Sequence, residues 1–130
     1  MRVAHIEAGR HLYGGARQVL HLMRGLRTHG VAGTLVCPPG SAIAAEAARL
    51  NLEVLAVPIG GELDLLAGGR IARALRGKDC GLIHVHSRRG AERAGRSAAR
   101  RLGIPAVLTR RVDSPLSHLG ATRLLRGFGR

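Results

Sequence analysis

Two histidines one residue apart, in the stretch LIHVHSRRG, are the side chains best suited to acid–base or ligand chemistry in this chain. Side chains alternate along an extended segment, so His84 and His86 share one face while Ile83 and Val85 take the other. His86 falls at the carboxyl end of its strand, where a ring nitrogen can meet a ligand. His84, earlier in the strand, reads as a core histidine with a satisfied ring. A His-x-His pair can also hold a metal, but a catalytic metal site wants a third ligand. Neither Asp113 nor His5 stands at a recognisable spacing from the pair, so no metal is expected. Ser87, Arg88 and Arg89 precede a helical segment and can add side-chain donors to its positive end.

A second candidate is the glycine pair of HLYGGARQVL. The apolar run before it reads as a strand, and Ala16, Val19, Leu20, Met23 and Leu26 recur at helical spacing after it. Gly14 and Gly15 therefore sit at a strand-to-helix turn, where unpaired helix N–H groups are exposed and a bare backbone lets an anion, first of all a phosphate, approach. Two familiar nucleotide loops do not fit. Gly9 and Gly14 have the gap of a P-loop, but Gly15-Ala16 replace the lysine and hydroxyl residue that hold phosphate and magnesium. A dinucleotide fold would place an acid near the end of the second strand, which here ends Val36-Cys37-Pro38.

The elements that must position these groups alternate along the whole chain. Strand 2–8 leads to helix 15–29, stopped by Gly30; AGTLVC is a second strand, followed by a Pro38-Pro39-Gly40 turn. Ser41 caps a helix reaching about Leu50, LEVLAVP is the third strand, GGELD a loop, and 63–77 a helix weakened by Gly68-Gly69. GLIHVHS is the fourth strand, Gly90–Leu102 the clearest helix, closed by Gly103, and IPAVLTR the fifth strand. This pattern predicts an α/β fold: one domain, a doubly wound, Rossmann-like parallel sheet of five strands in order 3-2-1-4-5, in three layers. Ligands of such sheets gather outside the carboxyl ends of the strands. Those ends are Gly9–Gly15, Pro38–Gly40, Gly60-Gly61, His86–Arg89 and Arg110–Asp113.

Composition narrows the partners. With 130 residues, 45% of them hydrophobic, the chain can bury one core and is too short for two ordinary domains. No apolar run approaches the roughly 20 residues of a membrane span, and the amino terminus lacks the apolar stretch of a signal peptide, which predicts a cytoplasmic protein. Cys37 and Cys80 adjoin strands in no metal-type spacing and are expected as free thiols. The net charge is +13, from 21 basic and 8 acidic residues. Nucleic acid is disfavoured because Tyr13 and Phe128 are the only aromatics, leaving no stacking platform. Arg93, Arg96 and Arg100 oppose Ala91, Ala94, Ala98 and Leu102, as on an ordinary solvated helix face. An anionic membrane surface is the remaining partner for that charge.

HIEAGRHLYGGARQVLHLMRGL, VCPPGS, LIHVHSRRG and VLTRRVDSP resemble, in order and spacing, the amino-terminal half of family 4 glycosyltransferases of the GT-B fold, with HSRRG and TRRVD resembling a bacterial branch. The resemblance implies retaining, metal-independent sugar transfer from a nucleotide-diphosphate donor to a glycan or lipid-linked acceptor, between two Rossmann-like domains facing across a cleft. No resident cofactor is implied. The amino-terminal domain receives the acceptor, while its glycine loop, here Gly14 and Gly15, reaches the donor diphosphate. His86 matches the histidine that contacts the transferred sugar near the reacting carbon. Arg17, Arg88, Arg110 and Arg111 are nominated as anion or acceptor contacts, with Ser87 and Asp113 beside them.

The family's donor domain carries two glutamates seven residues apart, a pair that Glu46 and Glu53, in another region, do not supply. The family would also continue into a sixth strand beyond RLLRGFGR. The expectation is therefore residues 1–130 as an acceptor-side domain incomplete at its carboxyl end, without the donor domain and inactive alone, in the cytoplasm and at the inner face of the membrane. The competing expectation is a stand-alone α/β binding or regulatory module with a basic face for anionic membrane or nucleic acid.

Overall fold

A computed structural model describes residues 1–12, 14–61, 63–86 and 89–109, Arg89 by its backbone only. Among these residues five strands, β1 (Arg2–Ile6), β2 (Ala32–Cys37), β3 (Glu53–Ala56), β4 (Cys80–His86) and β5 (Ala106–Thr109), form one parallel sheet in the order β3-β2-β1-β4-β5. Helices α1 (Gly14–Thr28), α2 (Ala42–Arg49), α3 (Ala67–Leu75) and α4 (Arg89–Leu102) alternate with the strands. The expected class, strand order and layering are those of the molecule.

Strand alternation sorts the apolar side chains into two cores. Leu35 and Cys37 of β2 face α1 and α2, packing with Val19, Met23, Ile43 and Ala47. Ala4, Ile6, Val36, Ile83 and Val85 face α3 and α4, packing with Ile71, Leu75, Ala94 and Ala98. Burial of such side chains contributes about 1.5–3 kcal/mol each for the larger ones, which outweighs the modest propensities of short helices. Arg93 and Arg100 lie on the exposed side of α4, opposite buried Ala91, Ala94 and Ala98, whereas Arg96, the third arginine of the expected solvated face, is half-buried.

Helix ends follow local chemistry. Ser41 caps α2 by accepting the Ala44 N–H, and Gly103 after α4 has φ +67°, a conformation that favours glycine. The structure differs from the sequence at α3, which begins at Ala67 and not at residue 63. Asp64 explains the delay: its carboxylate accepts the N–H groups of Gly60 and Leu66 and pairs with Arg70, holding a turn where a helix would otherwise start. Gly68 inside α3 costs helix stability but allows close approach: a Cβ there would stand 2.4 Å from Ser97 on α4.

At the amino edge, Glu53 joins three elements by accepting from Arg2, Thr34 and Lys78. Cys37 and Cys80 are free thiols. Among the described residues no helix is long and apolar enough to cross a membrane.

Candidate functional site

The loops after β1 and β2 are fastened together at the carboxyl edge of the sheet. Arg10 O accepts the Ala42 N–H at 2.9 Å, and the Arg10 guanidinium donates to Pro39 O at 3.3 Å. Beneath them Glu7, only 7% exposed, accepts the Gly9 N–H at 2.9 Å. A carboxylate bound to a backbone N–H fixes where the following loop leaves the strand. Sequence reasoning missed Glu7, although an acid directly after an apolar strand, in HIEAG, was available as a signal. Its charge and, above all, burial push the Cys37 thiol up, against an opposing hydrogen bond with Ser41. The thiol is therefore protonated and unreactive.

Gly14 and Gly15 are the first two residues of α1. Gly14 is exposed, and a Cβ built on it would meet nothing within 4 Å among the described residues. Arg17 is exposed a turn further on. On the other side of the edge, the loop after β3 abuts the start of α4: a Cβ on Gly90 would come within 2.8 Å of the Gly61 backbone. Ser87, Arg88, Arg110, Arg111 and Asp113 lie outside the described residues.

His86 ends β4, as expected, but its environment differs from the expectation. It is fully buried, while His84 is half-buried, the reverse of the anticipated order. β1 lies beside β4 with His5 directly opposite His84, so His5 joins the same face. His5 Nδ1 stands 3.2 Å from His86 Nε2, a hydrogen bond whose direction depends on the tautomers. His84 Nε2 lies 2.6 Å from the Thr109 hydroxyl at the end of β5. The His84 and His86 ring centroids are 4.0 Å apart, and those of His5 and His86 5.4 Å. Burial, aided by His84, lowers the pKa of His5 to about 4, so this ring is neutral at physiological pH. Among the described residues its buried Nε2 has no hydrogen-bond partner. The absence of a recognisable third ligand spacing in the sequence reflected only linear distance; the fold supplies His5 from 79 residues upstream.

Residues 13–129 match the family model of the glycosyl transferase 4-like domain. The chain is similar in structure to MurG of Acinetobacter baumannii, with a TM-score of 0.75 and 18% identity over 98% of this chain and 39% of that one. It is also similar to HepE of Anabaena, solved with UDP and glucose, with a TM-score of 0.65 and 12% identity over 83% of this chain and 29% of that one. A third likeness is to CalG4, the calicheamicin glycosyltransferase, with a TM-score of 0.61 and 18% identity over 99% of this chain and 38% of that one. At these identities the likeness is one of fold, and the chain spans well under half the length of each neighbour. No curated protein matches the sequence.

Proposed function

The chain belongs to the glycosyl transferase 4-like family, and from that premise we propose that it forms the acceptor-side domain of a retaining glycosyltransferase. The donor is a sugar on a nucleoside diphosphate, and the acceptor is a glycan or lipid-linked glycan. The observation that carries this reading is the exposed Gly14 at the amino end of α1, following the strand adjacent to the one that ends at His86. Strand order reverses between these two strands, where ligands of open α/β sheets bind.

In the transfer, the bond from the anomeric carbon to the diphosphate oxygen breaks, and a bond from that carbon to an acceptor hydroxyl oxygen forms on the same face. The hydroxyl proton passes to the departing diphosphate. The N–H groups at Gly14 and Gly15 complement the negative charge that grows on the diphosphate; the family resemblance gives His86 the sugar contact, which requires its fully buried ring to become exposed when the donor domain closes on this one. Arg17, Arg88, Arg110 and Arg111, with Ser87 and Asp113, supply further anion or acceptor contacts. The transfer itself draws on no resident cofactor. Most donor contacts come from a second domain facing this one, so these 130 residues alone are not expected to turn over a nucleotide sugar. The excess of arginine suits work at the inner, anionic face of a membrane.

The test is a Gly15→Val substitution in this domain joined to a donor domain. A branched side chain where the diphosphate approaches should lower transfer by roughly ten- to a thousand-fold, the range for losing one such contact. Unchanged transfer would remove the diphosphate from this loop, and turnover by the isolated domain would refute its dependence on a partner domain.

A further inference from the structure

We propose that His5, His84 and His86 together bind one divalent first-row transition ion, zinc in the first instance. Each can offer a ring nitrogen, and the three nitrogens lie within 4.8 Å of one another. A tetrahedral ion with bonds of about 2.0–2.1 Å spaces its donors about 3.3 Å apart. The His5–His86 pair already has this spacing, at 3.2 Å. His84 closes the remaining gap by a small ring rotation, which its half-buried position allows.

The donor set selects the ion. Three imidazoles without carboxylate or thiolate favour zinc, copper, nickel or cobalt over magnesium and calcium, which want oxygen. Three protein ligands leave a fourth position for solvent or a small anion. A further observation supports a ligand here. The Thr109 hydroxyl sits against a His84 ring nitrogen, where it can take the N–H that the ion does not use, the outer contact that orients a ligating imidazole. Val107, the register neighbour of His84 on β5, is 39% exposed, so the site lies near the surface on that side. The ion takes no part in the proposed transfer, but the two would share His86, so occupancy and transfer would compete.

The experiment is cobalt(II) titration of the chelator-treated chain, followed by visible absorption, with zinc(II) as competitor. One equivalent of cobalt should give the intense bands of a four-coordinate site, and zinc should abolish them. His84→Gln should weaken cobalt binding at least ten-fold, whereas His29→Gln, an exposed histidine at the end of α1, should leave it unchanged. Absence of the bands in the folded wild-type chain, or full binding by His84→Gln, would overturn the proposal. His5→Gln is the complementary variant. Should its buried position prevent folding, the half-buried His84 still decides. No sugar or donor domain enters the titration, so its failure would leave the transferase reading intact, and loss of that reading would leave the ion site intact.

Discussion

Replacing Gly95 by alanine sets two effects of known sign against each other. In an exposed helix the change stabilises by about 1 kcal/mol, because glycine loses the most backbone freedom on folding. Gly95 is buried, however, where α4 crosses β4. A Cβ there would stand 2.3 Å from Val85 Cγ2 and 3.4 Å from Ile6 Cδ1, both on side chains with no exposed surface. Carbon atoms in contact sit about 3.5–4 Å apart, so helix and sheet must separate by more than 1 Å or Val85 must leave its rotamer. Overpacking of this kind costs about 1–3 kcal/mol, and the stiffness of a β-branched neighbour puts this site in the upper part of that range. The expected net effect is a loss of about 1–2 kcal/mol, read as a lower urea midpoint with an unchanged slope. Val85→Ala in the same chain removes the clashing methyl. The double variant should therefore be no less stable than Val85→Ala alone, an energetic coupling that marks direct contact. A Gly95→Ala chain more stable than wild type by about 1 kcal/mol would show that propensity alone governs the site, and the packing of α4 against β4 would have to be redrawn.

Glu53 gives a pH prediction. Hydrogen bonding from Lys78 and Thr34, with the Arg2 charge, outweighs partial burial and holds its carboxyl below the ordinary 4.5. A depressed acid contributes stability that is present above its unfolded pKa and lost as pH falls through the folded one. Urea midpoints should therefore drop between pH 5 and pH 3 in wild type and less steeply in Glu53→Gln; parallel curves would refute the role. Anionic vesicles should sediment the chain at low salt and release it at high salt, with neutral vesicles and duplex DNA binding less; equal binding to both lipids would refute the membrane reading. His86→Ala should cost about 1–3 kcal/mol of stability, because it leaves the buried His5 Nδ1 without its partner. His84→Ala, whose partner Thr109 is only partly buried, should cost less in thermal unfolding, and the opposite ranking would contradict the burial order.

What could be read from the sequence was whatever depends on neighbours along the chain. Period-two alternation in LIHVHS gave the shared face of His84 and His86, and helical spacing after Gly15 gave the buried stripe of α1. The 3-2-1-4-5 order followed from generic rules for parallel sheets. Three features escaped because each depends on which strands or loops become adjacent. Asp64 delayed α3 through contacts to Gly60 and Arg70, which a propensity count over 63–77 does not contain. Glu7 became a loop anchor only once its strand ended at the buried edge beside Cys37. The burial of the two histidines was inverted because depth was judged by position along β4, and a place at the carboxyl end of a strand does not by itself expose a side chain. The same strand order that led the sequence to this crevice is sufficient to place His5 opposite His84. Every residue of β1 facing α1 and α2 should therefore be counted with the β4 face before either histidine is assigned to core or chemistry. Applied here, that count turns an isolated His-x-His pair into three imidazoles sharing one buried face.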